Sequence, residues 1–313
     1  MSNHRTLCRG LAQAAAVCTF ALTASAVASA PGPSLAANAA THQTHYTYRT
    51  LDYPGASDTI LWGINDFGVM TGQYNLSGQQ PHAMLYHNGH FETSNPGGLL
   101  NDNNYSAAGG PNNAGVIFVE YADGDASAPQ HGLVMQWGQV KKVDFPGHIN
   151  SNVDGVSLSG AITGVYWDAN QFKHGVLRQH GHDISLDVAG ARETWPLGNN
   201  GSGEIVGFWD TSSSVVHGFY RSLSGQVSSF DEPNAGAGGT YAFSINEEGQ
   251  IVGYYYDTAG STHGYLKVRG EFQNLDVPGA LATIATNIND FGVVVGEYYD
   301  ATGHTHGFVA TPW

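Results

Sequence analysis

The sequence predicts an all-β fold: a six-bladed β-propeller with four antiparallel strands per blade and an N-terminal strand closing the last blade. Three observations predict it. A motif of about 45 residues recurs six times, a period typical of propeller blades. Forty-two glycines accompany only 12% charged residues, which points to many tight turns. Beyond the N-terminal segment, no stretch sustains a 3.6-residue apolar period.

At the front, Arg5 and Arg9 precede an apolar run from Leu11 to Ala28, with small-residue sites at Ala26-Val27-Ala28 and Ala37-Asn38-Ala39. That is the order of a secretory signal peptide, and the run is too short and too rich in Ala and Thr for a membrane span. Residues 1–39 are read as the signal, with cleavage between 28 and 39. Residues 40–44 are read as a flexible tether and 45–313 as one propeller domain, secreted to the extracellular space or periplasm. Val17 stands before Cys18, where a lipoprotein site needs a small residue. Both cysteines, Cys8 and Cys18, fall in the signal, so disulfides, thiolate metal sites and a cysteine nucleophile are not expected in the mature chain. That chain keeps nine Lys/Arg against 26 Asp/Glu, a charge of −17. Such a surface repels phosphate backbones and anionic bilayers, so neither nucleic acid nor stable membrane insertion is expected. A monomer is expected.

The last two copies define the repeat. One carries Asp231-Glu232-Pro233, Ser244-Ile245-Asn246, Val252-Gly253-Tyr254 and His263-Gly264-Tyr265. The other carries Asp276-Val277-Pro278-Gly279, Asn287-Ile288-Asn289-Asp290-Phe291-Gly292, Val295-Gly296 and His306-Gly307-Phe308. The first copy matches both, with Asp52-Tyr53-Pro54-Gly55, Ile64-Asn65-Asp66-Phe67-Gly68 and His82. Six histidines, at 82, 131, 174, 217, 263 and 306, recur at intervals of 49, 43, 43, 46 and 43.

Each copy parses into four strands. The first follows Pro-Gly, as at Thr283 to Ile288. A tight Asn-Asp-x-Gly turn follows, because those residues tolerate left-handed backbone. The second strand, Val293 to Tyr299, is β-branched and aromatic. A polar loop leads to the third, His306 to Ala310, and a Gly turn to the fourth, as at Glu271 to Leu275. The last copy stops after its third strand, while Tyr46 to Leu51 reads as a fourth strand with no blade before it. Pairing the two closes the ring and removes both free edges.

The pattern Ile-Asn-Asp-x-Gly, Val-Gly-x-Tyr-x-Asp, His-Gly/Ala-Phe and Asp-x-Pro-Gly resembles the HAF-type extracellular repeat of bacteria, over about residues 45 to 313. The resemblance implies a secreted bacterial propeller. It implies no single activity and offers no catalytic residues to carry over.

The repeated histidines, and Asp52, Asp144, Asp231 and Asp276 of the Asp-x-Pro motifs with Asp187 of the matching Asp-Val-Ala-Gly, are read as structural, since recurrence in register is what a structural role predicts. Asp66, Asn246 and Asp290 are read as turn formers. Ligand-binding candidates lie in the loop after the second strand, at Trp167-Asp168, Trp209-Asp210, Tyr256-Asp257 and Tyr299-Asp300. Aromatic faces stack on sugar C–H groups and carboxylates accept hydroxyl hydrogen bonds, so this face suits a polyhydroxylated ligand. Residues that break the repeat near the inner strands (Trp62, His148, Arg192, Glu193, Trp195 and Tyr241) are candidates for a unique site at a polar channel mouth. Of these, His148, Arg192 and Glu193 are the catalytic candidates. Asp123 and Asp125 offer two carboxylates to calcium, without the remaining oxygen ligands such a site needs. No other cofactor or metal site is indicated; the Gly-x-Ser-x-Gly, phosphate-loop and His-Glu-x-x-His motifs are absent.

These features suit a secreted binding module for an extracellular glycan or protein. The alternatives are a polysaccharide lyase, glycosidase or lactonase with its site at the channel mouth, and a structural or adhesive propeller. An enzyme requires unlike residues converging at one point. A binding module predicts several equivalent aromatic pockets.

Overall fold

The computed structural model describes residues 43–94, 105–122, 124, 129–136, 138–145, 150–211 and 215–313. The expected export signal and residues 40–42 of the expected tether lie outside the described residues. Residues 43 and 44 lie within them, and the Thr44 N–H donates to Gln273 Oε1 at 2.8 Å.

The described strands form six four-stranded antiparallel sheets, each ordered as the chain runs except the last. The inner strands are Asp58–Ile64, Ser106–Pro111, Ser151–Val156, Glu193–Asn199, Ala235–Ile245 and Ala282–Ile288, for blades 1 to 6. They contact one another in sequence around the axis, and the sixth returns to the first. Blade 6 takes its outer strand from the other end of the chain. Tyr46–Thr50 pairs antiparallel with Thr305–Pro312, from Tyr46 opposite Pro312 to Thr50 opposite Phe308. The fold is therefore a closed six-bladed propeller. Among the described residues no helix is long and apolar enough to cross a membrane.

Local chemistry explains the repeat. In the turns after the inner strands of blades 1, 2 and 6, an Asn side chain accepts from the backbone two and four residues on, and in blades 4 and 5 from four residues on. Asn65 Oδ1 accepts from Phe67 and Val69 N–H at 3.0 Å each, and Asn289 Oδ1 from Phe291 and Val293 N–H at 3.1 and 2.9 Å. The same Asn also ties blades together. Asn246 Nδ2 donates to Asn289 O at 3.0 Å, Asn289 Nδ2 to Asn65 O at 3.2 Å, and Asn65 Nδ2 to Asn112 O at 3.3 Å. Ser157 replaces Asn in blade 3, and Thr163 Oγ1 stitches that blade to Leu197 O instead, at 2.9 Å. The second-strand glycine is dictated by close approach: a Cβ at Gly296 would sit 2.0 Å from Ile284 O.

The axis is filled rather than open. Trp195 stacks on Phe208 with centroids 4.7 Å apart, and Tyr241 stacks on Tyr254 at 4.4 Å. Trp62, Trp195 and Tyr241 belong to this apolar cluster and are each at most 6% exposed. The expectation that these three line a polar channel mouth is therefore corrected: they are core. Burial of such side chains stabilises by about 1.5–3 kcal/mol each, an upper bound set by the unfolded-state reference.

Each inner strand carries a one-residue β-bulge, at Trp62, Gly110, Asp154, Leu197, Phe243 and Thr286. A bulge re-aims its side chain. That interruption of strict alternation is why inward and outward positions are hard to assign from sequence.

Candidate functional site

One end of the propeller carries the loops into the inner strands and the loops between second and third strands. The repeated histidines work here as clasps. Nδ1 of His174, His217, His263 and His306 lies 2.8, 3.0, 2.7 and 2.7 Å from the carboxylates of Asp187, Asp231, Asp276 and Asp52, respectively. In three blades the other oxygen of that Asp accepts the next N–H, from Gly175, Gly264 and Gly307. His82, whose blade lacks the following Asp motif, meets Gln79 Oε1 at 3.1 Å instead. An aromatic residue packs against each ring, stacked in three blades, such as Tyr298 on His306 at 5.1 Å. Burial opposes protonation of His263 and His306, but their Asp partners outweigh it and raise both pKa values. Replacing His263 with Ala is expected to cost about 1–2 kcal/mol, and so to lower the melting temperature by a few degrees, without altering ligand binding. Thermal unfolding beside a binding titration checks both parts.

The eight loop candidates divide by role. Asp168, Asp257 and Asp300 cap their turns. Asp168 Oδ1 accepts from Asn170 and Phe172 N–H at 2.8 and 2.9 Å, Asp257 Oδ1 from Ala259 and Ser261 N–H at 2.8 Å each, and Asp300 Oδ1 from Thr302 and His304 N–H at 2.8 and 3.0 Å. Those bonds lower the pKa values of Asp168 and Asp257; for Asp300 the hydroxyl of Thr302 lowers it most and the backbone bonds add to it, with His contacts contributing in all three. Trp209 packs tilted against His217 with centroids 4.9 Å apart and donates to Ser229 Oγ at 2.8 Å. Trp167, Tyr256 and Tyr299 are half-buried and pack on the axial cluster.

Asp210 departs from its sequence assignment. Strand register places Trp209 opposite His217, as Tyr166 lies opposite His174 and Tyr255 opposite His263. Asp210 therefore occupies the place of Trp167 and Tyr256, not that of Asp168 and Asp257. Its side chain turns toward the axis, 4% exposed. Arg192 binds it through both carboxylate oxygens, and the Glu193 N–H donates to its Oδ1 at 3.0 Å.

Around this pair the structure assembles a cluster that, among the described residues, no other blade repeats. Lys173 begins the third strand of blade 3, where blades 2, 4, 5 and 6 have Gln130, Val216, Thr262 and Thr305. Its N–H donates to Glu193 Oε1 at 3.0 Å, while its Nζ lies 5.2 Å from the Trp167 ring centroid and 5.1 Å from that of Trp195. Arg192 stands 4.0 Å from Glu193. Arg192 and Glu193 are sequence neighbours, yet both act at this one point. Burial raises the Glu193 pKa, against the pull of Lys173 and Arg192, and burial lowers that of Lys173.

Beneath lie two carboxylates that the sequence reading missed. Glu120, 1% exposed, accepts from Asn152 Nδ2 at 2.9 Å through Oε1, while its Oε2 is sealed without a partner. Burial pushes its pKa up to about 7. Asp154 is raised by burial and by the charge of Glu120, and its Oδ2 is likewise sealed and unpartnered. The readable signal for Lys173 and Asp154 was charge at a buried position where the other repeats are mostly uncharged.

His148, Asp123 and Asp125 lie outside the described residues. Among the described residues no group of three or more His, Asp or Glu is placed to hold a metal.

No family model matches the chain, and no curated protein matches it. Solved structures do. A putative TolB from Agrobacterium tumefaciens is 12% identical, with a TM-score of 0.51, over 77% of this chain and 85% of that one. AofleA from Arthrobotrys oligospora is 9% identical, with a TM-score of 0.50, over 85% and 86%. The Aleuria aurantia lectin, described as a six-bladed β-propeller with a fucose recognition mode, is 12% identical, with a TM-score of 0.45, over 75% and 78%. At these identities the fold is what is shared.

Proposed function

We propose that this chain is an exported carbohydrate-binding propeller that holds a glycan at the mouth formed by Trp167, Lys173, Arg192, Glu193 and Asp210. The observation that carries the reading is the convergence of a half-exposed indole, two cations and two carboxylates at one place in the ring. An indole face stacks on the C–H face of a pyranose. Carboxylates accept hydroxyl hydrogen bonds, and ammonium and guanidinium groups donate them, so a ring with several hydroxyls can satisfy all of these groups at once. The four charges balance, which favours a neutral sugar over an acidic one. The signal-like segment with Arg5 and Arg9 supports export. Fungal lectins share the fold, but the sugar reading rests on the cluster.

A glycan array probed with wild type, Trp167→Ala, Glu193→Gln and Trp209→Ala tests this. Trp167→Ala and Glu193→Gln are each expected to weaken binding about tenfold or more, the equivalent of about 1.4 kcal/mol. Trp209→Ala, which loses a histidine contact, should keep its affinity and melt earlier. Undiminished binding by both Trp167→Ala and Glu193→Gln would remove the site from consideration.

One observation favours a second reading, in which the same cluster cleaves the polysaccharide. Glu193 is shifted up and Lys173 down within one site, the arrangement an acid–base pair needs. Release of reducing ends or unsaturated products by wild type, and not by Glu193→Gln, supports cleavage. Its absence on array-positive glycans leaves binding alone.

A further inference from the structure

The end of the ring opposite the histidine clasps carries the turns that follow the inner strands. Among the described large apolar residues, the three most exposed all lie there: Trp313 at 78%, Phe67 at 70% and Phe291 at 69%. Phe67 and Phe291 share one repeat position, third in the Asn-Asp-Phe-Gly turns of blades 1 and 6. Blades 2 to 5 carry Ala114, Ser159, Ser202 and Glu248 there, the small or polar residues that an exposed turn ordinarily takes. The fold therefore does not require a ring at this position, and a ring left so open adds little to the stability of its own blade.

The three residues stand on adjoining backbone. The Asp290 N–H donates to Asp66 Oδ1 at 2.9 Å, which sets the turn bearing Phe291 beside the turn bearing Phe67. A Cβ at Gly292 would lie 3.5 Å from Pro312 Cγ, so the blade 6 turn also touches the end of the last strand, where Trp313 follows. The His45 ring stacks on Trp313 at 5.0 Å, and the Trp313 N–H donates to His45 O at 3.0 Å. Together the three side chains present roughly 450 Å² of aromatic surface, as much as the largest apolar patch on an ordinary monomer, and such patches mark interaction sites.

The inner turns beside this ridge carry charge of one sign. Asp66 and Asp290 precede the two phenylalanines, and Glu247 and Glu248 occupy the next turn, in blade 5. Asp66, Glu247 and Asp290 rim the axial cavity at this end, and among the described residues no Lys, Arg or His lines it. The cations of blade 5 are further out: Lys267 is held over the rings of Phe230 and Phe272, and Arg269 stands in the turn before the outer strand. A second copy would bring the same carboxylates face to face, in a chain of net charge −15, and an anionic bilayer would be repelled likewise. Complementary charge selects a basic partner.

We infer that this ridge docks a basic amphipathic segment of a partner protein, its apolar side chains packed on Phe67, Phe291 and Trp313 and its Lys or Arg residues against Asp66, Glu247, Glu248 and Asp290. Aromatic residues carry much of the energy of such interfaces, and the charges around them steer encounter. The inference does not depend on the glycan reading, since the ridge lies at the other end of the ring from Trp167 and Glu193.

Fluorescence anisotropy on the full chain with three labelled peptides tests it: an amphipathic helix of Leu and Lys, its Leu/Glu counterpart, and a Lys/Ser peptide of the same positive charge. The Leu/Lys peptide should bind about tenfold or more tightly than either control. Phe67→Ser combined with Phe291→Ser should weaken it about tenfold, and Glu248→Lys about threefold, with a larger effect at low salt. Serine already holds this position in blades 3 and 4, so the double variant should melt within about 2 °C of wild type and give an unchanged response on the glycan array. Equal affinity for the three peptides, or undiminished Leu/Lys binding by the double variant, overturns the proposal. Sedimentation as a dimer, or flotation with phosphatidylcholine vesicles, that the double variant abolishes while the Leu/Lys peptide shows no preference, overturns it too and assigns the ridge to a second copy or to a bilayer.

Discussion

Removal of residues 1–51 is expected to destabilise the ring severely, whereas removal of residues 1–42 is expected to leave its stability unchanged. The deleted strand supplies the fourth member of blade 6 and pairs the two ends of the described chain in one sheet. Its ladder runs over five register pairs, and the Trp313 N–H donates to His45 O at 3.0 Å beyond them. Tyr46 and Tyr48 pack on the cluster that contains Phe308 and Leu275. Leu51, 7% exposed, enters the blade 1 core, and its N–H donates to Gly307 O at 2.8 Å. The lost burial and hydrogen bonds amount to about 4 kcal/mol or more, a large share of the ~5–15 kcal/mol that separates most folded domains from unfolding. At about 2–4 °C per kcal/mol, the melting temperature should fall by about 10 °C or vanish into a broad transition. Thr305–Pro312 would also become a bare edge, so the truncated protein should self-associate. A synthetic peptide covering residues 43–51, added in trans, should recover part of the lost stability, because the groove it fills is otherwise complete. A variant starting at Asp52 that melts within about 2 °C of the full chain and stays monomeric would show that closure is not what holds the ring.

The ring and its closure were legible because a repeat announces itself. Asn65 and Asn289 stand at matched places with a glycine three residues on, and Tyr46 to Leu51 is a fourth strand lacking its first three. The site was legible only in fragments. Arg192, Glu193 and Trp167 stood out as rare or aromatic residues. Asp210 stood out for the wrong reason: Trp209-Asp210 reads like Trp167-Asp168, and only strand register reveals the one-residue offset that sends Asp210 to the axis. Lys173 and Asp154 come from different strands and meet their partners through the propeller's curvature, which no spacing along the chain encodes. Trp62 and Tyr241 were visible as exceptions, but a bulge in each inner strand breaks the alternation that would have sent them to the core.

The second large effect is a loss of stability with rising pH, removable at one residue. Glu297 is 1% exposed, and its Oε2 is sealed without a hydrogen-bond partner. Burial, with a smaller contribution from the charge of Asp58, pushes its pKa up to about 8. Glu120 occupies the same place in blade 2 and is raised to about 7, also by burial. Blade 1 has Gln73 at this place, which accepts from Trp62 Nε1 at 3.3 Å and carries no charge. In the unfolded chain both glutamates titrate near ~4.3. Between that pH and the folded values the native state holds more protons than the unfolded one, so stability falls as pH rises. Below ~4.3 both states are protonated and the residues have no effect; above about 8 the full cost is present, roughly 3–5 kcal/mol for Glu297. His263 and His306 act in the same direction, because their raised pKa values contribute stability at low pH that is lost as they deprotonate. The lowered carboxylates Asp168, Asp257 and Asp300 oppose this only in strong acid. Wild type should therefore be most stable near pH 5 and markedly weaker at pH 9. Glu297→Gln should match it within about 1 kcal/mol at pH 5 and exceed it by several at pH 9, since the amide fills the same space without the charge. Denaturant unfolding at the two pH values decides the matter. Parallel pH profiles for wild type and Glu297→Gln would mean that the carboxylate finds a proton donor or a water on unfreezing its side chain, and that burial at this ring position carries no electrostatic cost.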